Sequence, residues 1–219
     1  MTGTAVERTW RIIALLEVAA MSAILLSYIW GWHGAFSGAS IAILVLYFGL
    51  GIASHLLHRE SARDIGLRVD NFPRALRNAA MFVVPAVAVS LAVSWALGSW
   101  HFQAAGHSPL QALWLIAWAT AQQYGLLCFF YRRFLDIFGT TAAATVGAAV
   151  SFAAFHLPNP FLFPVTLAAG MAACTLYRRE ANLFAIGLAH ASVSFVLLWS
   201  LPYSVTHGLR VGPGYLALP

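Results

Sequence analysis

The feature that most restricts this chain is a succession of apolar runs, each close to the roughly 20 residues an α-helix needs to cross a bilayer. They fall at about 10–30, 35–57, 76–97, 110–131, 140–157, 161–177 and 181–201. In hydrocarbon a backbone amide must be satisfied within its own segment or a closed barrel, so runs of this length read as helices. Composition agrees: of 219 residues, 61% are hydrophobic and 9% charged, against about a quarter charged in a soluble domain. The expected fold class is all-α, a polytopic transmembrane bundle of about seven spanning helices forming a single integral membrane domain over 1–219. The Gly- and Pro-rich tail, 202–219, reads as irregular.

Charge orients the bundle. All 12 basic residues are arginine and the net charge is +5. If seven helices alternate, Arg210 alone falls on one side, and every other arginine, from Arg8 and Arg11 to Arg178 and Arg179, falls on the other. Arginine collects on the cytoplasmic side, so the N-terminus is expected in the cytoplasm, with the first helix retained. Short arginine clusters between apolar runs speak for a lipid bilayer as partner and against nucleic acid. Lysine is absent and alanine abundant, a composition that suggests a GC-rich bacterial genome, so the membrane is expected to be a bacterial cytoplasmic one. The mixed-charge stretch 58–77 is expected on the membrane surface. Cys128 and Cys174 sit in apolar runs without metal-ligand spacing and read as core or lipid-facing thiols.

Polar side chains inside the apolar runs single out a candidate site, because they are costly there unless paired or functional. Gln122 and Gln123 lie in the fourth run, with Gln122 about 15 Å from the arginine boundary at Arg132 if the helix is straight. His190 stands the same number of residues from Glu180, hence at the same depth, and Ser194 is one turn further on its face. His156 ends the fifth run before Pro158 and Pro160, about 25 Å from Gly139, so a tilted or bent fifth helix is needed to bring it level. A single glutamine or serine at such a place is more often interhelical glue; two histidines at matching polar levels shift the balance toward a site. Glu17, about two turns inside the first helix, has a weaker claim. His55 and His58 are expected at the cytoplasmic end, and His33, His101, His107 and His207 at outer ends, where an imidazole costs little.

The order and spacing of these residues resemble the CAAX-protease and bacteriocin-processing (CPBP, or Abi) intramembrane proteases. Phe152-Ala153-Ala154-Phe155-His156 is similar to the family's Phe-xxx-His motif. His190-Ala191-Ser192-Val193-Ser194 is similar to its His-xxx-Asn motif, with serine in the asparagine position. Tyr177 to Phe184 and Asp64-Ile65-Gly66-Leu67-Arg68 resemble flanking segments, so the likeness covers about 64–200. The departure is at the Glu-Glu-xxx-Arg motif, where this chain has Gln122-Gln123 and Leu127.

The resemblance implies hydrolysis of a peptide bond in a membrane-embedded cavity, with His156, His190, Gln122, Gln123 and Ser194 as site residues. An amide is no general base, but it donates and accepts hydrogen bonds, and either imidazole titrates in the useful range. A divalent metal such as zinc on His156 and His190 would lack the third protein ligand of a catalytic site, so a metal is an open but not the favoured expectation. Three readings stay open: a divergent endopeptidase, a catalytically silent relative that binds a peptide or membrane partner, and a transporter-like bundle. The last lacks the repeat symmetry of carriers. A prenylated C-terminal peptide, a leader peptide and a membrane-protein segment all fit as substrate.

Overall fold

The computed structural model describes residues 2–31, 38–99 and 109–217, with only the backbone at 2–5 and 109. His33, His101 and His107 lie outside the described residues. Those described are helical, with no strand among them. In chain order they form α1 (Thr2–Gly31), α2 (Gly38–Leu57), α3 (Phe72–Ala96), α4 (Pro109–Gln123), a π-helical stretch (Tyr124–Tyr131), α5 (Arg132–Phe138), α6 (Thr141–Ala154), α7 (Leu162–Arg179) and α8 (Leu183–Ser200). Short turns follow: α9 (Tyr203–Thr206), a 3₁₀ turn (His207–Leu209) and α10 (Gly212–Leu216). The tail expected to be irregular therefore contains helical turns, α10 being started by Pro213 in its first turn, where a missing N–H costs nothing.

Five stretches are long and apolar enough to cross a membrane: Val6–Gly31, Gly38–Leu57, Phe72–Ala96, Leu110–Phe138 and Leu183–Ser200. These are the helices of an integral membrane protein. α6, at 14 residues, falls short of the span expected at 140–157, and α7 loses apolar character to Arg178 and Arg179 in its last turn. The fourth run extends past its expected end to Phe138, because the helix continues through the π-helical stretch into α5.

The described residues form two compact units. The first comprises 1–61, 129–171 and 211–219, the second 62–128 and 172–210.

In the first unit α1 packs on α2, α5 and α10, and α5 on α6. α5 stops at Gly139, whose φ of 69° is the left-handed C-cap geometry that glycine adopts without strain. Thr140 restarts the chain as the N-cap of α6, its side chain accepting from the Ala143 amide. Phe130, Phe134 and Phe138 stack along the helix, and Phe130 also meets Phe155 at 5.5 Å between ring centroids. Gly170 lets α7 lie against α6: a Cβ there would stand 3.1 Å from the Ala149 Cα.

In the second unit α8 packs on α3 and α4. The α4–α8 approach is close because Gly187 has no side chain; a Cβ would collide with the Thr120 Oγ1. At the arginine-bearing end the segment 64–71 closes over the α7–α8 connection. Gly66, with φ of 75°, leaves room for Tyr177 and the Ala181–Asn182 backbone, and its carbonyl accepts from the Leu183 amide at 2.9 Å. Fully buried Asn182 caps α8 through the Ala185 amide and donates to the Arg68 carbonyl and the Asn71 Oδ1. Asn71 in turn donates to Glu180 at 2.6 Å. Hydrogen bonds from Arg74 and Asn71 hold the Glu180 carboxyl below its ordinary range.

Candidate functional site

Within the second unit, α4 and α8 bring two of the singled-out residues into contact. The Gln123 Nε2 lies 2.9 Å from the His190 Nδ1. Gln123 is buried and His190 half-buried. The close helix approach at Gly187 and Thr120, three residues before each partner, sets this distance.

The residue facing His190 is thus Gln123, the second of the pair, although counting along a straight helix matches its depth to Gln122. Gln122 is half-buried, and the carboxamide oxygens of both glutamines are buried without a hydrogen bond from any described residue. Buried acceptors of this kind are rare in folded chains; here two occur in adjacent residues, able to take bonds from a water or a peptide N–H. Ser194 is half-buried one turn beyond His190. Ser192 spends its hydroxyl on the Leu188 carbonyl of its own helix. Leu127 is fully buried. It lies in the π-helical stretch that begins directly after Gln123, a distortion frequent at functional sites.

The Gln123–His190 contact ties the tautomer of the ring to the orientation of the amide. With the amide nitrogen toward His190, as placed, Nδ1 must accept, so the ring proton resides on Nε2, which then donates. Turned over, the amide oxygen would accept from Nδ1–H and leave Nε2 as a base. A carboxylate would enforce the second state; an amide permits both.

His156 belongs to the first unit. α6 ends at Ala154, so His156 sits in the turn beyond it. Its Nδ1 donates to the Phe152 carbonyl at 2.6 Å and its ring meets Phe152 edge-on at 4.7 Å. The proton is therefore on Nδ1, and Nε2 keeps its lone pair. Beside it Asn159, fully buried, accepts from the Phe161 and Leu162 amides and so starts α7.

A second polar constellation, also in the first unit, escaped the sequence reading. Arg133 is fully buried, although it reads in the sequence as a boundary arginine. Its Nη2 donates to the Glu60 Oε1 at 2.6 Å, and its Nη1 stands 3.6 Å from Glu17 and 3.5 Å from Asp136. Arg132 and His55 also hold Glu60, at 2.5 and 2.7 Å. Burial pushes the Glu60 carboxyl up, but His55, Arg133 and Arg132 outweigh it and hold it at about 2. His58 places Nε2 3.1 Å from Glu17 and Nδ1 3.5 Å from Asp136. His55 and His58 are thus polar contacts of these carboxylates, not inexpensive residues at a wet helix end. The signal that could have found it was Glu17: an acid inside an apolar helix requires a cation.

Among the described residues no three His, Cys, Asp or Glu side chains group as metal ligands. Both cysteines are buried and outside any disulfide, and the Cys128 thiol donates to the Ile65 carbonyl. Compared with protein-family models, with curated proteins and with solved structures, the chain finds no match.

Proposed function

We propose that this integral membrane protein is a divergent intramembrane endopeptidase of the CPBP type, hydrolysing a peptide bond at the level of Gln123 and His190. The observation that carries the reading is the 2.9 Å contact joining these two residues, which stand on separate helices 67 positions apart and belong to two of the motifs that resemble the family. In this reading the orphaned oxygens of Gln122 and Gln123 accept from the attacking water or the scissile amide, and His190 acts through Nε2. As placed, that nitrogen donates to the developing oxyanion; with the Gln123 amide turned, it takes the proton of the water. His156, whose Nε2 lone pair is fixed by the Phe152 carbonyl, is the other imidazole with the tautomer of a base. The arginine-bearing helix ends face the cytoplasm, and α6 and α7 complete seven spans in the cytoplasmic membrane of a bacterium.

One observation favours a second reading, a silent relative that binds a peptide or membrane partner. α4 and α8 contain no acid, so the two glutamines supply amides where the family's chemistry uses carboxylates. A cleavage assay in vesicles separates the two. Its probes are a farnesylated C-terminal peptide, a leader peptide and a single-span helix, each with a fluorophore–quencher pair. Turnover lost in His190→Ala, lowered in Gln123→Leu and raised in Gln123→Glu supports the peptidase. Turnover absent from the wild type and created by Gln122→Glu or Gln123→Glu supports the silent binder. Loss in His156→Ala as well shows that this histidine serves the same reaction, and turnover unchanged in His190→Ala refutes the assignment.

A further inference from the structure

The first unit holds a recess of about 710 Å³ lined by Glu7, Trp10 and Arg11 of α1, by Leu57, His58 and Arg59 at the end of α2, and by Asp136 of α5. Its volume is that of a small-molecule site, and the peptidase reading makes no use of it. The ionic groups divide into two sets. His58 and Asp136 face each other at 3.5 Å and are tied inward to Glu17 and Arg133. Glu7 and the guanidiniums of Arg11 and Arg59 hold no counter-ion among the described residues. Arg59 also has φ of 55°, a left-handed geometry that favours glycine, yet a long cationic side chain stands there. Trp10 and Leu57 are apolar and partly exposed, at 38% and 49%, and Trp10 packs on His58 at 5.1 Å. Tryptophan beside arginine at a helix end is the pattern of a membrane–water interface.

Two uncommitted cations beside one uncommitted anion are complemented by a phosphate next to an ammonium. We infer that this recess binds a phosphate ester carrying a primary ammonium, supplied by the membrane as the headgroup of phosphatidylethanolamine. The guanidiniums of Arg11 and Arg59 take the phosphate oxygens, as planar forks suited to bidentate contact. Glu7 takes the ammonium. Trp10 and Leu57 meet the glycerol and the first methylenes, while α1 and α2 continue outward with exposed Leu15, Leu16 and Leu56 against the acyl chains. The site is independent of the peptidase reading and would persist in a silent relative.

The test uses the full chain in detergent micelles, titrated with phosphatidylethanolamine, with phosphatidylcholine and with water-soluble phosphoethanolamine, and read by mass spectrometry of the intact complexes. The wild type is expected to retain one phosphatidylethanolamine in preference to phosphatidylcholine. The Arg11→Gln/Arg59→Gln double variant loses at least about tenfold in affinity, and Glu7→Gln removes the preference between the two lipids. Thermal unfolding of each variant verifies folding; these side chains sit at a recess rim, and their midpoints are expected to match the wild type. Phosphoethanolamine binding as tightly as the lipid supports the site and assigns a soluble ligand; lipid binding alone assigns the membrane. Equal retention by wild type and double variant, or no preference for the ammonium headgroup, overturns the inference.

Discussion

Replacing Arg133 by methionine removes the cation at the centre of the first unit's ion network and leaves a side chain of comparable length. Arg133 is fully buried, and the side chains of Glu17 and Glu60 are about a tenth exposed. Breaking a buried pair from one side costs about 3–5 kcal/mol, because a charge is left without its partner. Glu60 still keeps Arg132 and His55, and Glu17 and Asp136 still share His58. The cost should therefore lie at the lower end, about 3 kcal/mol, or a more than hundredfold change in the folding equilibrium. Removing the charge of Glu60 as well, in Arg133→Met/Glu60→Gln, should recover part of it, with a coupling of at least about 1 kcal/mol. Acid gives an independent reading. The Glu60 carboxyl is held at about 2 against 4.5 when unperturbed. The folded state thus binds this proton more weakly than the unfolded state. Its stabilisation is whole above about pH 4.5 and disappears as pH falls toward 2, about 3 kcal/mol in all. Without Arg133 that acid limb flattens. Reversible unfolding in mixed micelles with a rising fraction of anionic detergent, followed by circular dichroism between pH 3 and 7, measures both effects. A cost below about 1 kcal/mol together with an unchanged acid limb would refute the reasoning, since Arg133 would then be exchanging one solvated environment for another.

Two further outcomes test the second unit. Gly187→Ala drives a methyl into Thr120 and should cost about 1–3 kcal/mol, lowering the unfolding midpoint and weakening whatever depends on the Gln123–His190 distance; Thr120→Ala in the same chain should restore part of both. Asn182→Ala removes the α8 cap and strands the Asn71 and Arg68 acceptors, for a loss of about 2–3 kcal/mol, and Asn182→Asp, which keeps the cap oxygen but sets a buried carboxylate against those same two acceptors, should lose at least as much, as read by the same unfolding assay.

The helices were legible because apolar length is a strong signal, and α2 and α8 lie within three residues of their expected bounds. What was less legible follows from local chemistry that periodicity does not carry. α6 stops at Ala154, two residues before His156, since the Leu157-Pro158 pair already bends the chain. The π-helical stretch after Gln123 has no punctuating glycine or proline pattern to announce it, so straight-helix counting favoured Gln122 over Gln123. Gly187 looks like any small residue in a spanning helix until Thr120 is seen opposite. Arg133 reads as one more boundary arginine, and only the partners contributed by α1 and the α2–α3 connection show that it is interior.

The closure of residues 64–71 over the start of α8 has a consequence for how the protein is made. Asn71 and Asn182 are 111 positions apart, and the Gly66 carbonyl waits for the Leu183 amide. A ribosome delivers the first partner of each pair long before the second. Until α8 emerges, that stretch has water and lipid headgroups in place of its final neighbours. Biogenesis of the second unit is thus a late event, and nascent chains arrested before residue 182 should stay sensitive to added protease in that segment.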